Sequence, residues 1–247
     1  MSRLILSGTA LTLLVAIVAV PVRGGDKEVS AKGQVQLGKH TMKMDPKQLY
    51  WITVEGKNFN PVLVLRAGFS FRVFQVPFDK KFKLETSFMP AKGEDHDLLV
   101  GVDLFGLGAI PAGPLDYSIS VKPIPLAEPI LSINDKLDAT DPLFKPERDS
   151  HFKAFPVKLK AGQLYIIDMV KKAQIDPYLY LEGPDKKIVA RDDDSGGDLN
   201  ARIVYQAKVD GDYRIIATTL FKATGEFTLT VRTSASSKDG GRTREGR

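Results

Sequence analysis

From Gln34 onward the dominant signal is a set of short runs in which apolar side chains recur at every second residue, and that period limits the accessible folds more than any other feature of the chain. Phe227, Leu229 and Val231 alternate with Thr228, Thr230 and Arg232, and Tyr117, Ile119 and Val121 alternate with Ser118, Ser120 and Lys122. A two-residue period puts neighbouring side chains on opposite faces of a strand, one toward a core and one toward water. Gly, Pro and Asp close these runs. No segment after residue 24 carries an apolar stripe at helical spacing with caps. The pattern predicts an all-β chain with strands of about five to seven residues.

The same chain repeats itself. Residues 43–52, ending Gln48-Leu49-Tyr50-Trp51-Ile52, run parallel without a gap to residues 158–167, ending Gln163-Leu164-Tyr165-Ile166-Ile167. Asn60-Pro61 opens 60–65 as Asp176-Pro177 opens 176–181. Two further pairs follow in order: residues 74–79 with 205–210, and Phe82-Lys83-Leu84 with Tyr213-Arg214-Ile215. Pro123, Pro125 and Pro129 deny backbone donors to the stretch between the copies and favour an extended linker there. The expected organisation is a first β-sandwich over 34–122, a linker at 123–129 and a second β-sandwich over 130–233. Residues 234–247 have no apolar side chain larger than Ala and read as a disordered basic tail.

At the other end, Leu4 to Val20 is an uncharged apolar run preceded by Arg3 and followed by Pro21, Arg23 and Gly24. This is the pattern of an export signal over residues 1–24; retained uncleaved, the run becomes a membrane anchor. Either way the remainder is placed outside the cytosol, in the periplasm, at the cell surface or beyond it. The chain has no cysteine, which excludes disulfides, thiol nucleophiles and cysteine-bound metals. Its formal net charge of +5 comes mostly from the two ends: Arg3 and Arg23 at one, Lys238, Arg242, Arg244 and Arg247 against Asp239 and Glu245 at the other. The body between is nearly neutral, so a nucleic-acid partner is not expected.

Read from Leu164 to Val231, the second unit strings together Gln-Leu-Tyr, Asp176-Pro177-Tyr178-Leu179-Tyr180-Leu181, Gly183-Pro184-Asp185, Asp192-Asp193-Asp194-Ser195-Gly196-Gly197, Asp210-Gly211-Asp212-Tyr213 and Gly225-Glu226-Phe227. This order of motifs resembles the bacterial pre-peptidase C-terminal domain family. The resemblance implies a jelly-roll-like β-sandwich serving as a non-catalytic accessory module of secreted proteins, in some members binding collagen or calcium. The first unit reads as a degenerate copy. Only five residues separate Leu65 from Phe71, so it is expected to lack the acidic loop and one strand, and Met89 to Gly113 reads as an insertion.

Asp192, Asp193, Asp194, Asp198 and Asn200 crowd hard oxygen donors around Gly196 and Gly197, whose freedom to take positive φ lets a backbone wrap an ion. Calcium takes six to eight oxygens, which such a loop, carbonyls and water can supply. With Asp192 counted as position one, the twelfth position is Ile203, so it is no EF-hand. The other reading is a solvated acidic turn between strands. His40, His96 and His151 fall in separate segments, and no HExxH, GxSxG or P-loop pattern occurs. His96 between Asp95 and Asp97 reads as a metal ligand or as a surface-loop residue. Leu98 to Pro114 reads as packing across the sandwich or as an exposed docking patch. Tyr50, Trp51, Tyr165, Tyr178 and Tyr180 read as core, with sugar stacking the alternative. The expected function is that of a secreted, non-enzymatic binding or structural protein contacting extracellular protein or polysaccharide, with calcium stiffening the second unit. The alternatives are an accessory, inhibitor or folding helper of an exported peptidase, and a hydrolase using His96 or His151 with neighbouring acids.

Overall fold

A computed structural model describes residues 29–35, 38–68, 70–75, 82–102, 115–145, 147–172 and 174–235. The expected export segment, most of Leu98 to Pro114 and the tail beyond Ala235 lie outside the described residues. Among those described, the regular elements are sixteen strands and no helix. The first eight are β1 (Val29–Val35), β2 (Gly38–Lys43), β3 (Leu49–Gly56), β4 (Pro61–Ala67), β5 (Ser70–Gln75), β6 (Lys83–Phe88), β7 (Asp95–Val102) and β8 (Leu115–Ile124). The second eight are β9 (Leu131–Leu137), β10 (Lys153–Leu159), β11 (Leu164–Lys171), β12 (Pro177–Glu182), β13 (Ile188–Asp192), β14 (Ala201–Gln206), β15 (Gly211–Thr219) and β16 (Gly225–Thr233).

They form four antiparallel sheets in two sandwich bodies. The first body stacks β1-β8-β3-β6 on β2-β7-β4-β5, and the second stacks β9-β16-β11-β14 on β10-β15-β12-β13. Adding eight to each label of the first body gives the second, and each is the two-sheet order of a jelly roll. The inward sides make two cores, one around Ile52, Leu63, Leu98 and Ile119, the other around Ile167, Leu179, Ile215 and Leu229.

The repeat is legible at atomic detail. Tyr50 Oη accepts the Asp45 N–H at 2.9 Å, and Tyr165 Oη accepts that of Lys160 at the same distance. Gln48 donates Nε2 to Ile124 O at 2.6 Å, and Gln163 does so to Ser234 O at 2.8 Å. Ser234 is thus tied to the second body, its own N–H donating to Leu164 O at 3.1 Å, and Ala235 donates its N–H to Pro125 O at 2.7 Å, so these two residues are not part of a disordered tail.

Strand equivalence corrects the later half of the sequence alignment. Phe74 lies on β5, whose counterpart is β13, while its aligned partner Tyr205 lies on β14; Lys83 and Leu84 lie on β6, while Arg214 and Ile215 lie on β15. The first body has lost no strand. The β4–β5 hairpin is short but complete, and amphipathic strands of one length look alike in a single sequence. Most of the excess length lies between β7 and β8, residues 103–114 against 220–224, with a smaller share between β6 and β7, residues 89–94 against 207–210.

In the second body β11, β12 and the last half of β15 break the alternation because both of their faces are covered. On β11, Leu164 and Ile166 point away from the main core and pack with Leu49, Trp51, Met89, Ile124, Leu126 and Val204, joining the two bodies. Burying each such side chain contributes about 1.5–3 kcal/mol. On β12, Tyr178 and Tyr180 pack beneath the β9–β10 connection with Phe144, Phe152 and Ile216. These tyrosines are buried, as expected, but in a satellite cluster and not between the sheets. Tyr50 and Tyr165 lie in the main cores, and Leu98 and Val100 of the apolar segment pack inside the first.

Candidate metal centre

The jelly-roll order brings the β9–β10, β11–β12, β13–β14 and β15–β16 connections to one end of the second body. They are stitched together there. Leu220 donates its N–H to Asp176 O at 2.8 Å, and Arg148 donates Nη1 to Leu220 O at 2.7 Å. The Arg148 guanidinium lies 4.0 Å from the Tyr178 ring centroid, and its Nε donates to Tyr180 Oη at 3.2 Å.

The β13–β14 turn is closed by its own hydrogen bonds. Gly197, Asp198 and Leu199 all have positive φ, at 79°, 52° and 62°. Gly196 N–H donates to Asn200 O, Gly197 N–H to Asp194 O and Asn200 N–H to Gly197 O. Three of the five expected ligands are occupied by this architecture. Asp192 Oδ1 accepts the N–H groups of Ser195 and Arg202 at 2.9 and 2.8 Å, and Oδ2 accepts the Ser195 hydroxyl. Asn200 Oδ1 accepts the Lys171 N–H at 2.9 Å, and its Nδ2 donates to Gly197 O at 2.7 Å. Asp198 is exposed and pairs with Lys92 at 3.1 Å.

The other two, Asp193 and Asp194, meet a residue the acidic run does not contain. Asp176, one residue before β12, brings a carboxylate oxygen within 4.8 Å of theirs. Oxygens on opposite sides of a calcium ion, bound at about 2.3–2.6 Å, are about 4.6–5.2 Å apart, so the three carboxylates can hold a metal. In the sequence Asp176 marks only the repeat; the strand order places its loop beside the acidic one.

Two oxygens of this cluster are left without partners. Among the described residues, Asp176 Oδ1 and Asp193 Oδ1 are buried without a hydrogen-bond partner. A buried polar atom left so costs about 1–3 kcal/mol, and more when charged. The duplicated position sharpens the contrast. In the first body Asn60 takes the place of Asp176, and its Oδ1 accepts the Phe82 N–H at 3.0 Å. Burial, then the charge of Asp194, pushes the Asp176 carboxyl above its ordinary range, against the pull of Lys171 and Arg148. Burial raises Asp193 too, followed by Asp194 and Asp176, with Arg148 opposing.

The first body supplies the facing wall of a cleft of about 820 Å³. Arg72 donates to the Ser195 hydroxyl and lies 4.0 Å from Asp192 Oδ2. Arg202 reaches across to Pro90 O at 3.2 Å, and a side chain at Gly197 would stand 2.8 Å from the Ala91 methyl. His96 lines this cleft but is buried, with Nδ1 3.0 Å from Glu94 O and its ring against Phe88. His151 belongs to the second body, with Nδ1 2.7 Å from Asp141 O, and His40 pairs Nε2 with Tyr117 Oη at 2.8 Å. The structure brings none of the three histidines into the acidic cluster.

No family model matches the chain, and no curated protein matches it. Among solved structures it is similar to tripeptidyl peptidase 2 at 9% identity, covering 84% of this chain but 22% of that one, with a TM-score of 0.28. A vicilin from Solanum melongena aligns at 8% identity over 85% of this chain and 75% of that one, with a TM-score of 0.20.

Proposed function

We propose that this protein is an exported, non-catalytic binding or structural protein whose second jelly roll takes up calcium at Asp176, Asp193 and Asp194 and which contacts extracellular protein or polysaccharide. The observation that carries the metal reading is the pair of orphaned carboxylate oxygens, set against the satisfied Asn60 at the equivalent place in the first body. Three carboxylates contribute three to six hard oxygens, and water and backbone carbonyls complete a shell of six to eight. Magnesium demands near-ideal octahedral geometry and holds its water tightly, so an irregular site assembled from two loops suits calcium better. Resemblance of the second unit to the pre-peptidase C-terminal domain supports the accessory role and the exported setting. Leu199 and Phe221 support the contact reading: they line a small recess with Asp176 and are 46% and 69% exposed, as residues that meet a partner are.

The test is calorimetric titration of the purified protein with calcium chloride. One site with a Kd of about 0.1–1 mM is expected, the range of extracellular calcium modules, and Asp176→Asn with Asp193→Asn should abolish the heat. No calcium heat from the unaltered chain would retire the metal reading.

A further inference from the structure

The β13–β14 turn has two edges with different partners. Asp193 and Asp194 face Asp176 within the second body, while Ser195, Gly197 and Asp198 meet Arg72, Ala91 and Lys92 of the first. Between the edges the turn is stiff: three successive residues hold positive φ, and Asp192 and Asn200 bind it internally through side chain and backbone. It cannot shift one edge and leave the other in place. We propose that calcium occupancy and docking of the two sandwiches are coupled through this turn, so that the ion holds the bodies together and the docked first body raises calcium affinity. The inference rests on the calcium reading above.

The physical sequence is direct. Without an ion, three carboxylates whose oxygens lie within 4.8 Å repel one another. The relief open to them is to move Asp193 and Asp194 away from Asp176, which displaces the turn from Arg72 and Lys92. With an ion, repulsion becomes shared coordination and the turn is fixed where the first body binds it. A ligand shifts such an equilibrium only by its differential affinity for the two arrangements. Coupling of this kind is reciprocal: whatever factor calcium adds to docking, docking adds to calcium affinity, typically about 5–150-fold.

That reciprocity supplies a test whose sign is diagnostic. Arg72→Ala with Lys92→Ala removes the two charged contacts that the first body makes with the turn and leaves all three carboxylates intact. Both side chains are largely exposed, at 46% and 61%, so the fold should persist. Removing two positive charges beside an acidic loop would by direct electrostatics tighten a cation; coupling requires calcium to bind at least fivefold more weakly. In parallel, Lys57→Cys and Lys187→Cys place spin labels on exposed positions of the two bodies in an otherwise cysteine-free chain. Calcium chloride should narrow their distance distribution in the parent and fail to do so in the double variant. A variant that binds calcium as tightly as the parent, or more tightly, overturns the coupling and leaves the calcium site standing. A parent distance distribution indifferent to calcium overturns it equally. No calcium binding by the parent removes the site and the coupling together.

Discussion

Asp168 sits on β11 opposite Arg202 of β14, on the sheet face that meets the first body. Arg202 donates Nε to Asp168 Oδ1 at 2.5 Å, and their side chains are 12% and 6% exposed. Arg232 lies 4.0 Å from the other oxygen, and Arg202 also donates Nη1 to Pro90 O. Asp168→Ala would leave a guanidinium almost desolvated, with one carbonyl for a partner. Breaking a buried pair from one side costs about 3–5 kcal/mol; the Pro90 carbonyl that remains as an acceptor puts this case at the lower end, about 3 kcal/mol. For a chain of this size each kcal/mol moves the Tm by about 2–4 °C, so the midpoint should fall by about 6–12 °C. The assay is calorimetric melting together with the double variant Asp168→Leu/Arg202→Met, which removes both charges and should recover most of the loss. A cost below about 1 kcal/mol for Asp168→Ala would mean that the pair is solvated and the sheet face uncovered, and the junction described here would be wrong.

Other perturbations give separate checks. Asp193→Asn should raise the Tm of calcium-free protein by relieving the repulsion in the cluster, yet remove the rise that calcium produces in the parent; scanning calorimetry with and without calcium reads both signs. Asp176 and Asp193 have folded-state pKa values above the ordinary 3.8, so in calcium-free protein their contribution is present below that pH and is lost as pH rises through the shifted values. Urea melts across pH 3–7 should show that loss, and Asp176→Asn/Asp193→Asn should flatten it. Asp97 behaves oppositely: burial alone would raise it, but hydrogen bonds from Arg66, Lys39 and Thr41 prevail and hold it at about 2. Its contribution is full above pH 3.8 and lost as pH falls toward 2, and Asp97→Asn should remove that acid limb. Tyr50→Phe and Tyr165→Phe should each cost about 1 kcal/mol and add when combined, because the two corners lie in different bodies; denaturant melts of the single and double variants measure this.

The fold class was legible because edge and half-covered strands betray themselves. On β8 and β16 one face meets water, and the apolar residues alternate accordingly. On β11 and β12 the same rule fails, since Leu164, Ile166, Tyr178 and Tyr180 are covered from outside by the first body and by the β9–β10 connection. The matching of the first body's later strands failed for a related reason: alternation identifies a strand and carries no label saying which one. The candidate site was half legible. Acid density pointed to Asp193 and Asp194, but nothing in a linear run separates them from Asp192 and Asn200, whose oxygens are taken by neighbouring N–H groups only once the turn has closed. Asp176 arrives from across a hairpin and is reached through strand order, not spacing.

Anomalous diffraction from a crystal grown in calcium would address the metal site without an intermediary. A single strong peak about 2.3–2.6 Å from oxygens of Asp176, Asp193 and Asp194 is the expected finding. Density centred instead on Asp192, Asp198 and Asn200, or a cluster still vacant at saturating calcium, would show that the orphaned carboxylates serve something other than a cation.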